Sequence, residues 1–225
     1  MQKEDARSAP KRRNATKGAR TREMLKQVAR SLFEIDGHTG VTAQSIVETA
    51  GISSGTFYTY FKNKDDVISQ ISFDFLDNMI NLLAVERIYK TEFEYICTGH
   101  YIYIKYVANN WRFFKFILSY SFVNSNIMEY LHYARLREAE RTAAYLLICW
   151  SKSDRAAPES DTRGAVKMAM ALHAMTEGAL QDELTSLAYR TELTDLELRE
   201  FALYMGRLFY RAAFLEEPPE ITFSP

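Results

Sequence analysis

Hydroxyl-bearing residues are concentrated in one short segment of this 225-residue chain, and their types suit the binding of phosphates and base edges. Thr56, Tyr58, Thr59 and Tyr60 lie within five positions, and Lys64 adds a cation four positions later. Hydroxyls, ammonium groups and the free N–H groups at the start of a helix all donate hydrogen bonds to phosphate oxygens. This chemistry serves nucleic-acid recognition if one helix presents these residues together.

The residues around this segment predict two short helices joined by a tight turn. Thr42 is a good N-cap for a helix through Ala50, and Gly51 suits the left-handed residue that ends such a helix. Ser53 caps again almost at once, which opens a helix over residues 54–61. Two short helices at this spacing form a helix-turn-helix, whose second helix can enter a major groove.

Charge is distributed unevenly along the chain. Residues 1–69 hold 12 Lys and Arg against 8 Asp and Glu, a net +4, so the remainder of the chain carries −5 of the total of −1. Residues 1–30 alone hold ten basic and three acidic residues. This excess predicts a polyanionic partner, although a solvated basic tail would explain it equally well. We expect residues 1–17, which contain almost nothing apolar, to form a disordered basic arm.

Composition places the chain among globular proteins. Apolar residues make up 47% of it, which is ample for a core. Cys97 and Cys149 lie 52 positions apart without a CxxC motif, so neither a zinc ribbon nor a disulfide framework is expected. With no apolar run of membrane-spanning length and no secretion signal, we predict a cytoplasmic protein without a membrane partner.

Helical periodicity dominates the whole sequence, which predicts an all-α fold of about nine helices. The first helix ends at the cluster of residues 36–40, and Asn63 caps the fourth, which is long enough to continue into a second domain. We predict a DNA-binding domain over residues 18–66 with its motif at about 41–61, a ligand-binding and dimerisation domain over 67–217, and a tail over 218–225.

The stretch from Val41 to Asp66, VTAQSIVETAGISSGTFYTYFKNKDD, resembles the TetR/AcrR family of bacterial transcriptional regulators. The resemblance covers about residues 18–70, with Val67 or Ile68 standing where the pattern often has Leu. It implies phosphate contacts from Thr42, Thr56, Tyr58, Tyr60 and Lys64, and approach to base edges by Ser54, Gly55 and Thr59. Gln44 and Ser45 are further candidate contacts. The alternative for Tyr58 and Tyr60 is that both pack against the first helix.

The resemblance also implies a C-terminal domain that binds a ligand and pairs two subunits through a four-helix bundle. A symmetric dimer of this kind binds a palindromic operator. The candidate interface residues lie on the eighth and ninth helices: Ala165, Ala169, Leu172, Leu198, Phe201, Met205 and Leu208.

The predicted middle helices are rich in aromatic and thioether side chains, more than a minimal core needs. We therefore expect an apolar or aromatic small molecule as a ligand. The candidate ligand-binding residues are Tyr101, Trp111, Phe114, Tyr120, Met128, His173 and Thr176. The alternative is that these side chains fill the core and that the protein acts without an effector, as an activator or a protein-interaction module.

Enzymatic function is not expected. The sequence has no GxSxG, P-loop or HExxH motif, and Glu129-x-x-His132 is a single copy of a spacing that di-iron bundles use twice. We predict no catalytic residue, no metal and no cofactor. The expectation is a homodimeric repressor that leaves its operator when it binds a small apolar ligand.

Overall fold

The computed structural model describes residues 17–152, 157–158, 161–186, 193–221 and 223. Within them all regular structure is helical, as predicted. The nine helices are α1 Lys17–Gly40, α2 Ala43–Ala50, α3 Ser54–Tyr60, α4 Lys64–Leu83, α5 Glu92–Asn109, α6 Trp111–Ser121, α7 Ser125–Lys152, α8 Thr162–Ser186 and α9 Asp195–Phe214. The predicted basic arm lies outside the described residues except for Lys17. None of the described helices is long and apolar enough to cross a membrane.

The chain divides into two compact units, the first ending at Ile68 and the second beginning at Ser69. In the first unit, α1 buries Leu25, Ala29 and Phe33, which are spaced four residues apart and so share one helix face. The predicted end of the first helix differs in detail. The helix is interrupted at Gly37, where φ is 65°, a backbone conformation that glycine adopts without steric cost. Helical turns then resume as far as Gly40.

The predicted caps of the short helices are confirmed. Thr42 accepts a hydrogen bond from the backbone N–H of Ser45, and Gly51 adopts the left-handed conformation with φ 65° and ψ 35°. The Ser53 side chain accepts from the N–H of Thr56, and the Asn63 side chain accepts from the N–H of Asp66. These bonds satisfy N–H groups that a helix start leaves without intrahelical partners, and so fix where α2, α3 and α4 begin.

In the second unit, α5 packs along α9 and α7 along α8. The α5–α9 contact is close at one point, because a Cβ on Gly206 would lie 2.6 Å from Sγ of Cys97. A cluster of buried side chains, which includes Phe93, Leu146 and Phe209, joins α5, α7 and α9. Trp150 adds a hydrogen bond of 2.8 Å from its indole N–H to the main-chain oxygen of Ala213.

Candidate nucleic-acid interface and C-terminal cavity

Helix α3 separates its residues into a buried face and an exposed face. Phe57 on α3 and Phe61 just after it are 0% and 2% exposed, so their rings anchor the helix to the core of the first unit. Tyr58 is 59% exposed and meets Phe57 only edge-on, with ring centroids 5.2 Å apart. Ser54, Gly55 and Thr59 are exposed as well. The outer face of α3 therefore presents hydroxyls and a glycine backbone on a helix held from behind.

The candidate contacts at the start of α2 are tied into its cap. The Thr42 N–H donates to Oγ of Ser45 at 3.0 Å, while Oγ1 of Thr42 accepts from the Ser45 N–H at 3.0 Å. Gln44, which is exposed, donates from its amide to Glu48 at 2.7 Å. A nucleic-acid contact by Gln44 would have to use its remaining amide groups or break this bond.

On α3 the threonine hydroxyls are oriented by neighbours. Oγ1 of Thr56 lies 2.9 Å from Oγ of Ser53, and the Thr59 hydroxyl donates to the main-chain oxygen of Gly55 at 2.9 Å. Both threonine oxygens keep acceptor capacity. The Tyr60 hydroxyl lies 3.3 Å from the position that a Cβ on Gly18 would take. Tyr60 thus packs against α1, whereas the Tyr58 side chain is exposed.

Lys64 is held by the protein. Its ammonium donates to the main-chain oxygens of His38 and Val41, at 2.8 and 3.0 Å. Asp65 lies beside it and contacts Nε2 of His38 at 2.9 Å. An ammonium has three N–H donors, so one remains for a phosphate. These bonds connect the start of α4 to the segment between α1 and α2.

The second unit contains a cavity with a volume of about 110 Å³. Its wall is mostly apolar and comes from the end of α4 and from α5 to α9. Three of the seven candidate ligand residues, Phe114, His173 and Thr176, line it. Apolar lining residues include Leu83, Ile102, Phe114, Leu131 and Leu146.

The other four candidate ligand residues lie away from this cavity. The Tyr101 hydroxyl donates a hydrogen bond of 2.5 Å to Oδ1 of Asp195. The ring centroids of Trp111 and Phe114 are 6.4 Å apart. Tyr120 is buried in a stack on Phe116, and Met128 is half exposed. Their positions follow from helix rotation, which composition alone does not reveal.

The charged residues that α7 contributes to the cavity wall were not predicted from the sequence. Arg141 donates to Oε2 of Glu138 from Nε and Nη2, at 3.0 and 2.6 Å, and to the Tyr95 hydroxyl at 3.0 Å. Arg135 pairs with Glu177 through both carboxylate oxygens. The density of Arg and Glu on α7 was visible in the sequence, but such a helix is usually a solvated face.

Two histidines of the wall lie beside threonines, and of these His100 is buried and His173 partly buried. Nδ1 of His100 lies 2.8 Å from the main-chain oxygen of Ile96, so it carries the proton, and Nε2 lies 3.1 Å from the Thr176 hydroxyl. Nε2 of His173 lies 3.2 Å from the Thr142 hydroxyl. Burial lowers the pKa of His100 to about 4, and burial, with the charges of His100 and Arg141, lowers the pKa of His173 to about 3. Both imidazoles are therefore neutral near pH 7.

The candidate dimer residues divide into two groups. Ala165, Ala169, Leu198 and Met205 are buried within the subunit, so their side chains are not available to a second copy. Leu172, Phe201 and Leu208 are partly exposed. The apolar side chains that α8 and α9 expose most are Met175, Leu196 and Tyr204. The period of the sequence predicts an apolar stripe on each helix. In the structure much of this stripe packs against α5 and α7 of the same subunit.

The geometry of α2 and α3 defines a helix-turn-helix, and comparisons show which known proteins share this segment. Residues 26–71 match the family model of bacterial regulatory proteins, tetR family. This match confirms, for the N-terminal segment, the resemblance to the tetR family that the sequence predicted. A relative named HTH-type transcriptional repressor KstR2, from Mycolicibacterium smegmatis, is 37% identical over 59 residues. That alignment spans 26% of this chain and 29% of the relative.

Solved structures of low sequence identity resemble the chain over most of its length. A TetR-family transcriptional regulator from Syntrophomonas wolfei is 18% identical, with a TM-score of 0.63 over 84% of this chain and 95% of that one. GusR of Salmonella enterica is 16% identical, with a TM-score of 0.65 over 88% and 97%. A fatty acid metabolism regulator from Clostridium perfringens is 17% identical, with a TM-score of 0.60 over 84% and 96%. At these identities the likeness concerns the fold.

Proposed function

We propose that this protein is a homodimeric repressor that binds a palindromic DNA operator and leaves it when a small molecule occupies the cavity of the second unit. The observation that carries the proposal is the outer face of α3, where Tyr58, Thr59 and Gly55 stand exposed on a helix anchored by Phe57. A helix presented in this way has the polar groups and the clearance to enter a major groove.

The proposed contacts keep the division that the family resemblance implies. Thr42, Thr56, Tyr58, Tyr60 and Lys64 bind phosphates, and Ser54, Gly55 and Thr59 approach base edges, with Gln44 and Ser45 as further contacts. The open space around Gly55 supports this, because a Cβ there would meet only Oγ of Ser53, at 4.0 Å. Among the residues that the structure describes, nothing requires glycine at this position, whereas close approach of DNA would.

Repression is the proposed sign of regulation because the N-terminal relative is named a repressor. Release follows from differential affinity: the ligand must bind more tightly to a conformation that binds the operator poorly. Helix α4 is the connecting element, since the boundary between the two units falls within it, at Ile68 and Ser69. The cavity supports a ligand-responsive protein over one with a filled core.

Two copies of the chain would pair through α8 and α9. The exposed apolar residues Met175, Leu196 and Tyr204 are the proposed contacts, together with the partly exposed Leu172, Phe201 and Leu208. A two-fold dimer presents two copies of α3 to half-sites about one DNA turn apart or a multiple of it.

The test of the proposal is selection of bound duplexes from a random DNA pool by the purified protein at near-physiological salt, followed by sequencing. We expect enrichment of a palindrome. Enrichment of a single, non-repeated site would contradict the dimer, and enrichment of no sequence would contradict specific recognition by α3. A truncated protein without residues 1–17 tests the basic arm, whose loss should lower affinity for all sequences and flatten the salt dependence.

A further inference from the structure

The carboxylates of the cavity wall are engaged by arginines of the same wall. Both carboxylate oxygens of Glu177 are occupied, by Arg135 and, for Oε1, also by the amide of Gln181 at 3.3 Å. Glu138 uses one oxygen for Arg141. The acidic side chains of the wall are therefore largely committed to arginines that also line it.

Donors remain on the same surface. A guanidinium has five N–H groups, and Arg141 uses three of them, two on Glu138 and one on Tyr95. Tyr103 also lines the cavity, and its hydroxyl has no hydrogen-bond partner within the described residues. Burial, with the nearby charge of Glu177, raises the pKa of Tyr103, so this hydroxyl stays a donor at neutral pH. A ligand with acceptor groups can use these donors.

The charge of the wall points the same way. Arg135 and Arg141 pair with Glu177 and Glu138, His100 and His173 are neutral, and the exposed Arg87 adds one positive charge at the edge of the wall. This charge favours an anion over a cation, by an amount that water around Arg87 reduces.

The size of the cavity limits the ligand. A dry cavity of roughly 150 Å³ can hold benzene, so a volume of about 110 Å³ suits a small apolar body. Most of these atoms would contact apolar side chains such as Ile102, Phe114 and Leu131.

We propose that the cavity binds a small monocarboxylic acid with an apolar body, and that Arg141 pairs with its carboxylate. This inference rests on the proposed ligand-responsive function and specifies the class of ligand. Guanidinium and carboxylate groups match in geometry and form charge-assisted hydrogen bonds, which makes Arg141 the specificity-determining residue.

The test compares matched probes that differ only in the head group. Octanoate, octan-1-ol and octylamine form one set, and 3-phenylpropanoate, 3-phenylpropan-1-ol and 3-phenylpropylamine form the other. Isothermal titration of the full-length protein at pH 7 should show at least one acid binding ten or more times as tightly as its alcohol and its amine. Equal binding of acid and alcohol, tighter binding of an amine, or no binding of any probe would each overturn the proposal.

Three variants locate the head group. Glu138→Gln releases Arg141 from its carboxylate partner and should strengthen acid binding at least threefold, whereas a cation site would lose amine binding. Arg141→Met should abolish the preference for the acid, and the double variant Glu138→Gln with Arg141→Met should do the same without leaving a buried carboxylate unpaired. Arg137→Met is the control: Arg137 lies on α7 but outside this cavity, and pairs with Glu140 at 3.7 Å. An unchanged preference in both Arg141 variants would overturn the assignment.

Failure of this inference and failure of the proposed function are distinguishable because DNA binding is measured without ligand. Selection of an operator together with amine or alcohol preference would overturn the acid and leave the regulator intact. Acid binding that depends on Arg141 in a protein that selects no DNA sequence would support the ligand class and contradict the regulator.

Discussion

The ammonium of Lys64 donates a hydrogen bond of 2.8 Å to the main-chain oxygen of His38, twenty-six positions earlier in the chain. A second bond of 3.0 Å reaches the oxygen of Val41. Together they tie the first turn of α4 to the turn that precedes α2. The lysine that the family resemblance assigns to phosphate therefore also helps to position the helix-turn-helix.

Replacing Lys64 with Met should lower the free energy of unfolding by about 2 kcal/mol, because two main-chain oxygens lose a charged donor. Lys62→Met is the matched control, since Lys62 is exposed and its ammonium makes no hydrogen bond within the described residues. Urea denaturation followed by circular dichroism measures both. Equal stability of the two variants would mean that the Lys64 bonds do not contribute.

Gly51 and Gly55 lie four residues apart and should respond oppositely to alanine. Gly51 has φ 65°, so Gly51→Ala should cost about 1 kcal/mol of stability. Gly55 lies within α3 with open space around it, so Gly55→Ala should leave stability equal or raise it by about 0.5 kcal/mol while weakening operator binding. Thermal melting and DNA titration separate the two effects. Undiminished operator affinity in Gly55→Ala would argue against close approach of DNA at this residue.

Tyr58→Ala should reduce operator affinity at least tenfold and leave the melting temperature unchanged, because the side chain is exposed and its ring touches Phe57 only edge-on. Tyr133→Ala, on an exposed position of α7, is the control. Fluorescence anisotropy with the selected duplex measures affinity. Near-native affinity in Tyr58→Ala would show that α3 does not present this residue to DNA.

The local parts of this structure could be predicted from sequence, and the long-range parts could not. Thr42, Gly51 and Ser53 act through bonds to residues at most four positions away, so residue type and spacing sufficed to predict the helix-turn-helix. Cavity lining depends on how each helix is rotated against its neighbours. The predicted ligand-binding residues therefore include Phe114 and His173, which line the cavity, but also Tyr120 and Met128, which do not. The Arg141–Glu138 pair was not predicted.

Leu196 and Leu198 test which face of α9 is free to meet a second copy. Leu198 is 3% exposed and Leu196 is 64% exposed. Leu198→Ala should cost about 2 to 4 kcal/mol of stability through the cavity it leaves. Leu196→Glu should leave the fold intact and shift the oligomer toward monomer, because a charge would be buried in the apolar contact. Sedimentation velocity measures the association, and an unchanged dimer in Leu196→Glu would exclude this residue from the interface.

The lowered pKa of the partly buried His173 predicts a loss of stability in mild acid. The folded-state pKa of His173 is about 3, below the ordinary value of about 6.5 that applies to the unfolded chain, so between these values the unfolded state binds the extra proton. The contribution of His173 is fully present above pH 6.5 and declines as the pH falls. Between pH 7 and pH 5 the wild type should therefore lose about 2 kcal/mol more than His173→Gln, as measured by urea denaturation at each pH. His132→Gln, an exposed position on α7, should follow the wild type. If His173→Gln also follows the wild type, the imidazole of His173 is not the source of the acid sensitivity.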